Sequence, residues 1–130
     1  MRGHWYPGHV ARGWRELRAL AGRSHLLLEV ADARAPSSTR HPRVAGLAGD
    51  KPHLLVLTHA DLADAQGLRA WLAHFRTAGQ PAVAVDARTG KGCAEVLRRV
   101  SGVRTLPSGP VRVVVVDARA RFLDGLAGTT

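Results

Sequence analysis

Leu26-Leu27-Leu28-Glu29-Val30-Ala31-Asp32-Ala33-Arg34-Ala35-Pro36 is the stretch that decides the fold. Its first half is a continuous apolar run rather than an alternating one, the pattern of a strand covered on both faces, as in a parallel sheet. Asp32 to Pro36 then turns it into a loop. Outward from this point the same unit repeats. Strands are expected at 53–57, 82–85 and 111–116, each a short apolar run bounded by Gly or Pro. Between them lie amphipathic stretches. Pro7 opens a helix to about Leu20, in which Val10, Trp14, Leu17 and Leu20 or Ala21 recur at helical spacing. A short helix at 42–47 precedes the turn Gly49-Asp50-Lys51-Pro52. Asp61 or Asp64 caps a helix through Leu68, Trp71, Leu72 and Phe75, ended by Gly79. Gly90 and Gly92 turn into a helix carrying Val96, Leu97 and Val100, and a last helix is expected at 119–126.

Alternation of strand and helix predicts an α/β fold: three layers, with a small, mostly parallel sheet flanked by helices. One domain is expected over 1–130, made of a basic, aromatic-rich segment 1–23 and a parallel-sheet core 24–130. The order of the strands is not readable from the pattern.

Composition narrows the function classes. With 45% hydrophobic and 22% charged residues the chain is globular in character. No apolar run approaches the roughly 18 residues that cross a bilayer, and Met1-Arg2-Gly3-His4-Trp5 has no apolar stretch of leader type, so no membrane association and a cytoplasmic location are expected. The single cysteine, Cys93, reads as a core thiol, since it has no second thiol for a disulfide or a Cys-type zinc site. No histidine spacing points to a metal site. The net charge of +9 favours polyanions. Arg2, Arg12, Arg15, Arg18 and Arg23 crowd the first segment against one acid, Glu16, with Trp5, Tyr6 and Trp14 among them. Aromatic faces beside guanidinium groups suit stacking on unpaired bases. The competing reading is a general arginine excess on a solvated surface.

Two short strings carry a family resemblance. Trp5-Tyr6-Pro7-Gly8-His9-Val10-Ala11 resembles the Trp-Phe-Pro-Gly-His-Met opening of the circularly permuted ribosome-biogenesis GTPases, the RbgA/YlqF family. Asp32-Ala33-Arg34-Ala35-Pro36-Ser37-Ser38-Thr39-Arg40-His41-Pro42 resembles that family's Asp-Ala-Arg-x-Pro-x-Ser-x-Arg-Asn-Pro loop. The likeness continues to about Val100 and, more faintly, to the end. It implies a P-loop GTPase-like fold in permuted order, here incomplete, with guanine-recognition motifs ahead of the phosphate loop.

At the position of the family's Asn-Lys-x-Asp guanine motif stands Thr58-His59-Ala60-Asp61. Asp61 matches, and its competing role is a helix cap. Thr and His replace Asn and Lys, and leaving one desolvated polar group of this kind unpaired weakens binding by about 1–3 kcal/mol. The following base-side loop reads Asp86-Ala87-Arg88, with Ala87 in the place of a serine. The phosphate loop, whose backbone amides, lysine and hydroxyl hold phosphate and magnesium, should follow the strand at 111–116. Asp117-Ala118-Arg119-Ala120-Arg121 stands there instead, without the glycines, the lysine or the hydroxyl. Thr89-Gly90-Lys91-Gly92 does not replace it, lacking the first glycine and the final Ser or Thr. The chain ends at Thr130, ahead of the family's magnesium-binding and C-terminal helical segments, so the resemblance implies a truncated and degenerate member.

The expected function is therefore a ribosome- or RNA-associated relative, with ribosomal RNA or a ribosomal subunit as partner and with impaired or absent GTP binding and hydrolysis. Its RNA contacts are expected at Arg2, Trp5, Tyr6, His9, Arg12, Arg15 and Arg18. The alternative is a weak GTPase using Thr58, His59, Asp61, Asp86, Ala87 and Arg88, with GTP and Mg2+ implied by resemblance alone. A third reading is a scaffold competing with a full-length relative for one surface. His9 occupies the position whose histidine, as the resemblance implies, helps to orient the attacking water; docking of the first helix or RNA contact is the competing role.

Overall fold

The structure, a computed structural model, describes residues 8–105, 109–117 and 128–129, with side chains of the first helix from residue 13. Its elements are α1 (Gly8–Gly22), β1 (Leu26–Asp32), α2 (Val44–Ala48), β2 (His53–Thr58), a 3-10 turn (Ala60–Leu62), α3 (Ala65–Thr77), β3 (Ala82–Ala84), α4 (Cys93–Ser101), β4 (Val113–Asp117) and β5 (Gly128–Thr129). The four strands read from the sequence are all present. The helix expected at 119–126 lies outside the described residues.

The strand order is β3-β2-β1-β4-β5. The first four run parallel, and β5 adds two residues antiparallel to β4. The continuous apolar run of β1 is explained by its place: it is flanked by β2 and β4 and covered on both faces. Odd-numbered residues of β1 share one face with Leu55, Leu57, Val114 and Val116. On that face Leu17 and Ala21 of α1 and Val44 and Ala48 of α2 pack on Leu27 and Val114. Further along it, Leu68, Trp71 and Phe75 of α3 pack on Ala31, Leu55 and Leu57. The opposite face, Leu26, Leu54, Val56, Val83 and Val113, is covered by Cys93, Val96 and Val100 of α4. Three layers result, as the pattern of apolar runs predicts, and Cys93 serves in packing.

A charged residue sits inside this core. Glu29 of β1 is fully buried, and it is held by three charge-assisted or polar contacts. Arg40 grips it with both arms, Nε to Oε2 and Nη2 to Oε1, each at 2.8 Å, and His53 Nε2 lies 2.8 Å from Oε1. A carboxylate removed from water needs such partners. Burial pushes its pKa up, but the bonds from His53 and Arg40 outweigh it and hold the group below the ordinary carboxylate value. The contact also pins the loop between β1 and α2 to the sheet, and Arg40 lies over the Phe75 ring at 5.6 Å.

Candidate functional site at the carboxyl edge of the sheet

Parallel strands end together on one edge, and the register sets which side chains meet there. Asp32 of β1 is paired with Thr58 of β2, Leu57 with Ala84 of β3, and Val30 with Asp117 of β4. The chain leaves β1 toward β2, whereas β4 lies on the other side of β1. Ligands of open parallel sheets bind at such a reversal, outside the carboxyl ends.

Besides Asp117, three aspartates stand at this edge, each held by a partner of its own. Asp32 accepts from the Arg34 backbone N–H and Nε through Oδ1, both at 2.9 Å, and from Arg34 Nη2 through Oδ2 at 2.7 Å. That guanidinium holds the Asp32 carboxyl far below its usual range, more than offsetting the effect of burial. Thr39 closes the loop by accepting from the Asp32 N–H and donating to the Ala35 carbonyl, so the string from Asp32 to Arg40 is a built turn anchored at both ends.

Asp86 is buried at the end of β3. Burial raises its pKa, yet the Thr89 hydroxyl at 3.0 Å and the Arg88 N–H at 3.0 Å lower it by more. Its backbone N–H donates to the Lys91 carbonyl and its carbonyl accepts from the Gly90 N–H, forming the turn into α4. Gly92 is required in that turn: its φ is +90°, and a Cβ would collide with the Ala84 carbonyl oxygen and come within 3.1 Å of Val85 Cα.

The third carboxylate is Asp61. Thr58 donates to the Ala31 carbonyl at 3.1 Å, tying the end of β2 to β1. Its oxygen lies 3.1 Å from His59 Nδ1, and the same nitrogen lies 3.4 Å from Asp32 Oδ2. His59 adopts a left-handed backbone, φ 60°, the single non-glycine residue to do so among the described residues. The chain thereby bends sharply into the 3-10 turn, fastened by Ala60 N–H to the Val85 carbonyl at 3.1 Å. Asp61 projects from that turn, and Arg88 Nη2 meets its Oδ2 at 3.2 Å. Beside it a cleft of about 380 Å3 opens among Leu68 and Leu72 of α3, Ala84, Asp86 and Lys91.

The structure brings Thr58, His59 and Asp61 at the end of β2 and Asp86, Ala87 and Arg88 after β3 into one locality, and Asp64 rather than Asp61 caps α3, its Oδ2 accepting from Gly67 N–H at 2.7 Å. Of the expected RNA contacts, Arg15 and Arg18 are exposed on α1. Arg2, Trp5 and Tyr6, and the side chains of His9 and Arg12, lie outside the described residues. Trp14 is used in packing: its ring lies tilted against His41 at 4.7 Å, under the Arg43 guanidinium. The sequence reading missed the Glu29–Arg40–His53 group, although an acid inside a doubly covered strand was a signal that a cation must lie nearby. Among the described residues no group of three His, Cys, Asp or Glu side chains is placed to hold a metal ion, and no helix is long and apolar enough to cross a membrane.

Comparison with known proteins gives this geometry a lineage. The chain is 35% identical over 92 residues to ribosome biogenesis GTPase A of Bacillus cereus, covering 71% of this chain and 31% of that protein. Over this stretch it belongs to the circularly permuted ribosome-biogenesis GTPase family. A mitochondrial ribosome-associated GTPase 1 from Xenopus tropicalis is 40% identical over 76 residues, 58% of this chain and 24% of the relative. The fold matches the crystal structure of GNP-bound YlqF from T. maritima with a TM-score of 0.64 and 24% identity, over 80% of this chain and 41% of that one. The chain thus spans about a third of the length of the curated family members it matches. No protein-family model matches it.

Proposed function

We propose that this chain is a ribosome- or RNA-associated relative of the circularly permuted GTPases, acting in ribosome assembly in the cytoplasm, with impaired or absent GTP binding and hydrolysis. The observation that carries the reading is the Asp61 carboxylate, which already holds the Arg88 guanidinium. A guanine base offers its N1–H and exocyclic amine as a guanidine-like edge, so it would compete with Arg88 for the same oxygens. Three further features support it. Ala87 offers no hydroxyl, β4 ends on Asp117 beside Val30, and the residues that follow lack the lysine and glycines of a phosphate cradle. These residues do not fit GTP with magnesium. The whole of 1–130 is proposed to form one domain, since α1 packs directly on β1 and β4.

A weak GTP-binding role is the second reading, favoured by the exposure of Arg88: its side chain is 76% exposed, and an ion pair of that kind contributes at most about 1 kcal/mol. Two measurements separate them. Co-sedimentation with ribosomal subunits at low salt, lost as salt rises, is expected of the first. Saturable binding of a fluorescent guanine nucleotide at micromolar concentration with magnesium would replace it by the second.

A further inference from the structure

A second cleft, of about 410 Å3, lies away from the strand-end aspartates, between the loop after β1 and helix α3. Arg40, His41 and Pro42 form one wall, and Trp71, His74 and Phe75 the other. The size is within the range of small-ligand pockets. Its rings are fixed relative to each other: Trp71 stacks on Phe75 at 5.7 Å, and His74 meets both edge-on at 5.6 and 5.5 Å. The guanidinium over Phe75 is fixed too, because Glu29 holds Arg40 from beneath by two bonds. His74 is exposed at the rim and Trp71 is half-buried, so ring surface remains open to solvent.

Charge decides between occupants. Among the described residues no carboxylate lines the cleft, and the acid beneath it, Glu29, is fully buried and compensated by Arg40. The residues that follow the two walls in the chain, Arg43 and Arg76, are exposed and basic, in a chain of net charge +9. An apolar peptide side chain would need the rings alone. A nucleotide uses both the rings and the surrounding positive field.

We infer that the cleft between the 37–45 segment and α3 binds one unpaired base of single-stranded RNA, stacked on the exposed ring of His74 with Trp71 standing edge-on to it. The inference takes its class of partner from the proposed function and adds the place of contact. It differs from the sequence expectation, which put stacking on the N-terminal segment.

A fluorescein-labelled single-stranded RNA of ten nucleotides, carrying 4-thiouridine, serves as the probe at low salt. Irradiation should attach it to the peptide containing Trp71–Phe75. His74→Ala and Ser37→Glu alter exposed positions and should keep the wild-type thermal transition. Each should weaken RNA binding about five- to a hundredfold, the range for loss of a stacked base. RNA binding that is unchanged in both variants, with attachment elsewhere, overturns the cleft and leaves the RNA reading standing. A wild-type chain indifferent to RNA at low salt overturns both. Variants that keep RNA affinity but lose a ribosomal protein in pull-downs overturn it in favour of a protein-docking surface.

Discussion

Arg88 reaches back 27 positions along the chain to place its Nη2 3.2 Å from Oδ2 of Asp61, joining the turn after β3 to the turn after β2. Removing the guanidinium frees the carboxylate. Arg88→Ala should therefore bind guanine nucleotide more tightly than the wild-type chain, by up to about fivefold for an exposed pair of this kind. Folding stability should hardly change. Titration of a fluorescent GDP analogue measures the effect, with an adenine analogue as control. Equal affinity in the two proteins, or an equal gain for adenine, would show that Arg88 does not compete with the base.

Asp64 and Asp61 stand three residues apart, and the geometry divides their roles. Asp64 takes the extended backbone of a cap and accepts from Gly67 N–H, whereas Asp61 faces Arg88. Asp64→Ala should lose about 1 kcal/mol of stability in urea unfolding. Asp61→Ala should lose less than about 0.5 kcal/mol. A reversed order would reassign the cap.

Gly92 and Gly79 both have positive φ, +90° and +78°, but their surroundings differ. An added Cβ at Gly79 meets nothing within 4 Å; at Gly92 it strikes the backbone of β3. Gly79→Ala should cost about 1 kcal/mol from the backbone alone, and Gly92→Ala about 2 kcal/mol or more. Equal losses would mean that the turn before α4 relaxes easily away from Ala84.

The layers were legible because continuous apolar runs and helical spacing are local signals, and β1, α3 and α4 fall within a few residues of where 26–31, the Leu68–Phe75 pattern and Val96–Val100 put them. The order β3-β2-β1-β4 was not, since it depends on pairings such as Leu28 with Val115, far apart in sequence. The turns after β2 and β3 could be located from Thr58-His59-Ala60-Asp61 and Asp86-Ala87-Arg88 as strings. That Arg88 lies on Asp61, or Arg40 on Glu29, could not, because each is a meeting of side chains from different loops. Trp14 illustrates the converse: a ring among arginines reads as a stacking platform until His41 and Arg43 are seen to enclose it.

Glu29 supplies the strongest test of the core. Its carboxyl is fully buried, and its pKa is held below the ordinary value of 4.5 in spite of burial. A group with a depressed folded pKa stabilises fully above the unfolded value, and that stability disappears as pH falls through the folded one. Asp32, depressed from 3.8, acts in the same direction. Urea midpoints should thus hold steady from neutrality to about pH 5 and decline progressively below it. Glu29→Gln leaves Arg40 and His53 facing a neutral amide and should lose about 3 to 5 kcal/mol at pH 7. Its deficit against wild type should shrink on acidification, because the wild-type carboxyl is then being neutralised as well. A deficit that stays constant from pH 7 to pH 3 would mean that the loss comes from packing at the amide, and that the ion pairs to Arg40 and His53 contribute nothing to holding the loop on the sheet.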